Sequence, residues 1–427
     1  MHRSLVAVLL GTFTLRFSTG LTGALLVYYL AELPRHGGQA VDPTIVGLLA
    51  AMFFVAELLL SPPFGIVSDR LGQRPVMQLG PGFGAVAVIL TGLTTSIPLL
   101  GLTRLLEGGS SAASVPSILG YIARATAGNE PLRGRAVARF ELATLAGLGT
   151  GLVAAGPLYE LFGRTAFFLN ALVYGGSWLI YRFGVRELPA SAGVDPPRRP
   201  GLRRYWALLA SSHVWLLAPT WIAVNAAIGL WTSQSLFQLV RSADSPVARR
   251  QLLMGGFTPT QVSVGLAIGL AVFFAGLLYW GGRFKTLRRT TIILYGIVGG
   301  AGSIACTFVV NHSGGQPVAV PAAFTVGAAI GLFVLAGATP AALGLLADVS
   351  EAHPLDRGAI MGLYSVFLAL GQVAGSLIGG EAARWQGIDG LLGATVVLLA
   401  VAVIPLWRLR AFEHRLDPHS APIQSRP

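Results

Sequence analysis

The chain has 427 residues, 53% of them hydrophobic and only 11% charged, with a mean hydropathy of +0.67. Soluble globular domains carry about 25% charged residues, and the 55 glycines follow no Gly-X-Y period, so a soluble enzyme, a collagen-like fibre and a disordered chain are all excluded in favour of a polytopic helical membrane protein. The net charge of +12 would suit either nucleic acid or an anionic membrane surface, and its distribution along the chain decides between them.

A helix needs about 20 mostly apolar residues to cross the hydrocarbon core. Such segments fall near 4–30, 43–67, 75–96, 98–123, 136–160, 165–182, 207–236, 261–282, 290–310, 318–347, 358–380 and 388–408. The expectation is an all-α integral membrane protein with twelve transmembrane helices. The first span is expected to be retained and not cleaved as a signal peptide. Its apolar run continues past Leu30, contains Arg16, and is not closed by a small-residue cleavage pattern. Pro219 and Pro340 are expected to kink spans seven and ten.

With the N-terminus placed in the cytoplasm, 22 of the 30 Lys and Arg residues fall on the inner side, 6 on the outer side, and Arg16 and Arg104 within spans. That bias sets both termini in the cytoplasm. It also accounts for the excess positive charge without nucleic acid, and the expected site is the cell's inner (plasma) membrane, with lipids as neighbours. The densest basic cluster, Arg182 to Arg204, lies in a Pro/Arg-rich stretch between spans six and seven. The expected division is a six-helix bundle over 1–186, a cytoplasmic linker over 187–204, a second bundle over 205–410 and a tail over 411–427. An internal repeat supports it. Residues 43–80 align without a gap on 259–296, and Gly156-Pro157 fall on Gly379-Gly380 at a similar offset. Two parallel six-helix pseudo-repeats fit a transporter with its site between the halves.

The loop after span two reads Gly65-Ile66-Val67-Ser68-Asp69-Arg70-Leu71-Gly72-Gln73-Arg74. It resembles the G-x-x-x-D-R-x-G-x-R signature of the major facilitator superfamily, at the position in the chain where that family carries it. The resemblance implies two helical bundles rocking around a central cavity. It also implies a cytoplasmic gate at Gly65, Asp69, Arg70, Gly72 and Arg74, which Glu141 could join. A polar turn with ordinary positive-inside charge is the plainer alternative. In the second half Lys285 and Arg288 replace Asp69 and Gly72, so a charge-locked gate would be asymmetric. Span four carries Arg104 ahead of Gly108-Gly109, similar to the family's span-four motif, whose arginine is linked to proton transfer in proton-coupled members. Gly147, Gly156 and Pro157 of span five are similar to the glycine-proline motif of the family's antiporters. The match is partial, because Leu158-Tyr159-Glu160 stand where further glycines are expected. Gly147-Leu148-Gly149-Thr150-Gly151 also imitates a dinucleotide loop, but it lacks a preceding strand and suits close helix packing.

Ionisable groups inside a membrane cost several kcal/mol, on the order of +2.5–3.5 at a helix centre, and mark functional sites by default. Arg16, Glu57, Arg104, Glu107 and Glu141 are the ones here, all in the first half. Arg16 and Glu57 fall at similar depth and are expected to pair directly. Arg104, Glu107, Ser111 and Ser114 recur at spacings of 3, 4 and 3, which places them on one helix face. Burial disfavours and a nearby guanidinium favours the charged form of a carboxyl, so Glu57 or Glu107 is the expected proton carrier, with Arg16 or Arg104 tuning it. Static cancellation of buried charge is the alternative.

The second half offers neutral groups: Trp221, Asn225 and Thr232 in span seven, and Ser365, Gln372 and Ser376 in span eleven. Trp221, Asn225 and Gln372 are the candidate substrate contacts, against helix–helix hydrogen bonding for the amides and interfacial anchoring for the tryptophan. His213 is expected to be a packing or near-interface residue.

The single cysteine, Cys306, permits no intramolecular disulfide. The seven histidines show no metal-ligand spacing, and HExxH, GxSxG and P-loop motifs are absent. Neither an enzyme, a metal nor a cofactor is expected. The chain is expected to be a secondary transporter, exporting a small apolar or amphipathic compound in exchange for protons. Proton-driven uptake, movement of a lipid-like substrate, and a non-transporting assembly factor or receptor with this fold are the alternatives.

Overall fold

The computed structural model describes residues 3–187, 217–241, 250–351, 357–408 and 410–411. Within them the chain runs through α1 (Arg3–Ala31), α2 (Pro43–Leu71), α3 (Gln73–Leu93), α4 (Ile97–Ala125), α5 (Glu130–Phe162) and α6 (Ala166–Leu179), the last extended by a π-helical turn, Ile180–Gly184. Then follow α7 (Ala218–Val240), α8 (Pro259–Gly281), α9 (Arg289–Asn311), α10 (Ala319–Leu335), α11 (Ala338–Glu351) and α12 (Arg357–Val403). No strand occurs among the described residues. The expected His213, most of the 187–204 linker and nearly all of the 411–427 tail lie outside them.

Eight described stretches are long and apolar enough to cross a membrane. Two of these, Glu130–Gly184 and Ser365–Arg408, have 55 and 44 residues, enough for two spans each at 1.5 Å per residue. The helices that fall below that apolarity are α4 and α7, which carry the polar stripes read from the sequence. With them the twelve spans are accounted for. Expected span ten is divided between α10 and α11 at Ala336 and Gly337, where the amides reach back to Leu332 and Val334. Pro340 therefore does not kink a continuous helix. It sits in the first turn of α11, where its missing N–H costs no helical bond. Pro219 likewise stands at the start of α7 as described. In α12 the backbone leaves helical geometry at Gln386 and Gly387, the latter at φ +59°, which separates the last two spans. Gln251 holds that bend, donating from Nε2 to the Gln386 carbonyl at 2.8 Å and accepting from the Asp389 amide at 3.3 Å.

The chain forms two compact units, Met1–Val194 with Ser233–Ala243 and Met254–Ala267, and the remainder. In the first, α1 packs on α5, α2 on α4, and α3 on α4 and α6. Glycines let these pairs approach to backbone contact. A Cβ at Gly147 would lie 2.6 Å from the Phe13 carbonyl oxygen, one at Gly151 2.1 Å from that of Phe17, and one at Gly108 2.3 Å from that of Phe53. Gly151→Leu is expected to force α1 from α5 and cost at least about 3 kcal/mol, because backbone cannot yield as a side-chain tip can. Thermal unfolding of the purified variant measures it, and an unchanged midpoint would refute the close packing. In the second unit α9 packs on α10, α11 and α12, and a Cβ at Gly375 of α12 would lie 2.0 Å from the Ala226 carbonyl oxygen of α7.

Candidate functional site

The charged groups of the first unit are set by how α1 is held. Asn170 of α6 donates to the Ser18 carbonyl at 3.0 Å and to Thr22 Oγ1 at 2.7 Å, and Ser177 donates to the Gly11 carbonyl at 3.0 Å. On another side of α1, Gly147 of α5 leaves room for the Arg16 Cβ, which a side chain there would approach to 2.9 Å. These contacts fix the rotation of α1 and aim Arg16 at α4.

Arg16 and Glu57 do not pair directly, contrary to the expectation from depth alone. Ser111 of α4 stands between them. Arg16 Nη1 donates to Ser111 Oγ at 3.0 Å, and Ser111 Oγ–H donates to Glu57 Oε1 at 2.5 Å. Arg16 and Ser111 are buried and Glu57 is half-buried. One turn away Arg104 donates to Glu107 Oε2 within the same helix, and Arg104 also lies 4.9 Å from the Phe53 ring centroid. Glu107 is 2% exposed and its second oxygen has no hydrogen-bond partner. The stripe of Arg104, Glu107, Ser111 and Ser114 thus faces the interior of the unit, and the two carboxylates differ sharply. One is locked in a direct ion pair. The other, half-buried, meets its arginine only through a neutral hydroxyl. Glu141 of α5 is exposed, with Arg16 acting on it electrostatically.

The signature residues lie at the far end of α2. Gly72, at φ +95°, joins α2 to α3, and a Cβ there would strike Glu187 Oε1 at 2.4 Å, so only glycine fits the turn. Arg74 donates to the Arg182 carbonyl and Arg124 to Gln73 Oε1 at 2.6 Å. Tyr121 donates to the Arg186 carbonyl, whose own amide donates to Ser4 Oγ at 3.3 Å. Gln73 and Arg74 of the signature therefore fasten α3 to the ends of α4 and α6, and Tyr121 with Arg186 ties α4 to the start of α1. Gly65 is buried, whereas Asp69 and Arg70 are exposed.

At the opposite end of the unit is a group of contacts that the sequence reading missed. The α8 N-terminus is closed by a capping box, Thr258 N–H to Gln261 Oε1 at 3.0 Å and Gln261 N–H to Thr258 Oγ1 at 3.3 Å. Glu160 of α5 adds to it, accepting from the Thr260 amide at 2.9 Å and hydroxyl at 2.6 Å. Gly156 donates its amide to Ser263 Oγ at 3.0 Å and has room for no Cβ, which would lie 2.1 Å from the Pro259 carbonyl. Tyr159 donates to Glu32 Oε2 at 3.2 Å, and Gln234 to the Pro43 carbonyl at 2.9 Å. Gly156 and Pro157 thus belong to the turn that meets α8, while Gly147 belongs to the α1 contact. The Thr-Pro-Thr-Gln string was a legible helix start, but nothing in it names Glu160 as a partner. Glu160→Gln is expected to weaken this charge-assisted cap by about 1 kcal/mol, near fivefold in local opening. Hydrogen exchange at the Thr260 and Gln261 amides reads it, and unchanged protection would remove the cap.

In the second unit Trp221 and Asn225 are buried, and Asn225 donates to the Trp221 carbonyl of its own helix at 2.9 Å. Gln372 is 8% exposed and lies against Gly229, and Asn225 lies against Gly371. Both amides sit in the α7–α12 contact.

Residues 8–332 match the family model described as the Major Facilitator Superfamily. The chain belongs to the major facilitator superfamily. As a member of that superfamily it is an integral membrane transporter and not an enzyme. It is 25% identical to multidrug resistance protein 1 of Bacillus subtilis over 379 residues, covering 86% of this chain and 88% of the other. It is 21% identical to the quinolone resistance protein NorA of Staphylococcus aureus, covering 93% and 96%. The synaptic vesicular amine transporter of Rattus norvegicus is 24% identical over 88% of this chain and 68% of its own. Among solved structures, the nucleoside transporter NupG superposes with a TM-score of 0.72 at 15% identity, over 96% and 99% of the two chains. A bacterial homologue of the human lysosomal transporter Spinster superposes with a TM-score of 0.70 at 14% identity, over the whole of both. These two likenesses speak for the twelve-helix fold alone.

Proposed function

We propose that this transporter is a proton-coupled antiporter that exports a small apolar or amphipathic compound by alternating access, with Glu57 as the proton carrier. The observation that carries the reading is the contrast between the half-buried carboxylate of Glu57 and the buried one of Glu107. Protonating Glu107 would leave Arg104 buried beside a neutral group, a cost on the order of 3–5 kcal/mol when one partner of a buried pair is lost. Protonating Glu57 breaks no direct ion pair, because Ser111 intervenes and Arg16 also feels Glu141. Arg104 and Glu107 then serve as the fixed pair beside the carrier. The resistance proteins among the relatives support an exporter of drug-like compounds, and the asymmetric basic charge supports a plasma-membrane protein with both termini in the cytoplasm. Asp69, Arg70 and Glu141 fit a cytoplasmic gate above the fastened ends of α3 and α4. Trp221, Asn225 and Gln372 stay the candidates for neutral contacts to the substrate, with Asn225 and Gln372 also packing between α7 and α12.

The test is transport in proteoliposomes carrying an imposed pH gradient, challenged with a panel of lipophilic aromatic compounds that includes ethidium and a quinolone. Compound-dependent collapse of the gradient is expected. A gradient as stable as in empty vesicles across the panel, together with firm co-purification of another membrane protein, would favour the assembly-factor reading instead.

A further inference from the structure

The hydroxyl between Arg16 and Glu57 stands out against its own helix. Ser114 and Ser117 of α4 donate to the carbonyls four residues back, Ser110 and Ala113, at 2.9 and 2.7 Å, the usual resting place for a serine in a helix. Ser111 does otherwise. It gives its hydrogen to Glu57 at 2.5 Å while accepting from Arg16 at 3.0 Å, and it is 3% exposed. A hydroxyl has one hydrogen and two lone pairs, so the direction of this chain of bonds is set by the charge of Glu57.

We propose that Ser111 is a positioning residue whose hydroxyl reverses as Glu57 takes up its proton and so reports the loading of α2 to Arg16 on α1. The inference rests on Glu57 being the carrier. With Glu57 charged, the order runs from Arg16 N–H to Ser111 Oγ and from Ser111 O–H to the carboxylate. When a proton from water binds the carboxylate, the new Glu57 O–H donates to Ser111 Oγ. The Ser111 hydrogen then turns to an acceptor of its own helix, the Glu107 carbonyl four residues back. No covalent bond of Ser111 forms or breaks, and the only proton gained is that of Glu57. Arg16 now shares its acceptor with a neutral O–H and no longer meets a carboxylate through it.

The charged groups around this point are few. From α4 come Arg104 and Glu107, already engaged with each other. From α5 comes Glu141, on which Arg16 acts electrostatically. The charged residue of α3, Arg74, is spent at its end on the Arg182 carbonyl. Glu141 is thus the group toward which Arg16 is released. Because α1 and α5 touch at Gly147 through the Arg16 Cβ itself, a change in the Arg16 side chain is felt at that contact.

Infrared difference spectroscopy of the purified full-length protein in lipid, with pH changed and no substrate added, tests this. Acidification should give the wild type a protonated-carboxyl stretch and an arginine guanidinium change that both drop out in E57Q, leaving there only the bands of the other carboxyls. In S111A the carboxyl band should remain, move to higher wavenumber for want of its hydrogen-bond partner, and lose the accompanying guanidinium change. S111T keeps a hydroxyl at the same place and should restore the wild-type spectrum, which a merely space-filling role for Ser111 would not require. An S111A spectrum identical to the wild type, guanidinium change included, overturns the relay. An E57Q spectrum with the same carboxyl and guanidinium bands as the wild type overturns Glu57 as the carrier.

Discussion

Glu57→Gln is expected to reduce transport driven by a pH gradient to the level of empty vesicles while leaving the protein folded. The side chain is half-buried and hydrogen-bonded to Ser111, and glutamine fills nearly the same volume and can keep that bond with its carbonyl oxygen. What it cannot do is bind and release a proton. No direct ion pair is broken, so Arg16 retains its bond to Ser111 and the stability change should stay within about 1 kcal/mol. Movement of compound down its own gradient should persist, since that step needs no proton. Driven transport at wild-type rate in Glu57→Gln would show that the carrier lies elsewhere.

Glu107→Gln is expected to behave in the opposite way, with its main effect on stability. Arg104 is 8% exposed and meets the Glu107 carboxylate and the face of Phe53. Removing the acid leaves a guanidinium in an apolar interior, which costs about 3–5 kcal/mol where one member of a buried pair is deleted. Replacing both members, as Arg104→Met with Glu107→Leu, removes the stranded charge and should recover most of that loss. Thermal unfolding of the two single variants and the double variant measures the coupling. If Glu107→Gln were as stable as the wild type and also blind to the pH gradient, the roles assigned to the two carboxylates would have to be exchanged.

The parts of this molecule that were legible in its sequence are those governed by local spacing. Gly65 to Arg74 announced a turn between two spans, and the left-handed backbone at Gly72 is what that glycine supplies. The serine stripe on α4 was correctly placed on one face, because 3.6 residues per turn settles which residues share a side. Position along the helices was legible too, and it put Arg16 within reach of the same Ser111 as Glu57. Azimuth was not. Each residue turns a helix by about 100°, and the rotation of α1 is set by Asn170 and Ser177, more than 150 residues away. Hence a direct ion pair was expected where a hydroxyl-bridged one occurs. The cap of α8 by Glu160 was hidden for the same reason, since its partners are 100 residues apart. Pro340 was misread because a proline marks a helix start as readily as a kink, and only the break at Ala336 and Gly337 tells which.

The proposed coupling is tested most directly by recording compound and proton movement together in the same vesicles, first for the wild type and then for Glu57→Gln. The account predicts that each compound moved by the wild type is accompanied by proton movement in the opposite direction, and that in Glu57→Gln compound still equilibrates with no proton movement at all. Proton movement that continues to accompany the compound in Glu57→Gln would contradict it.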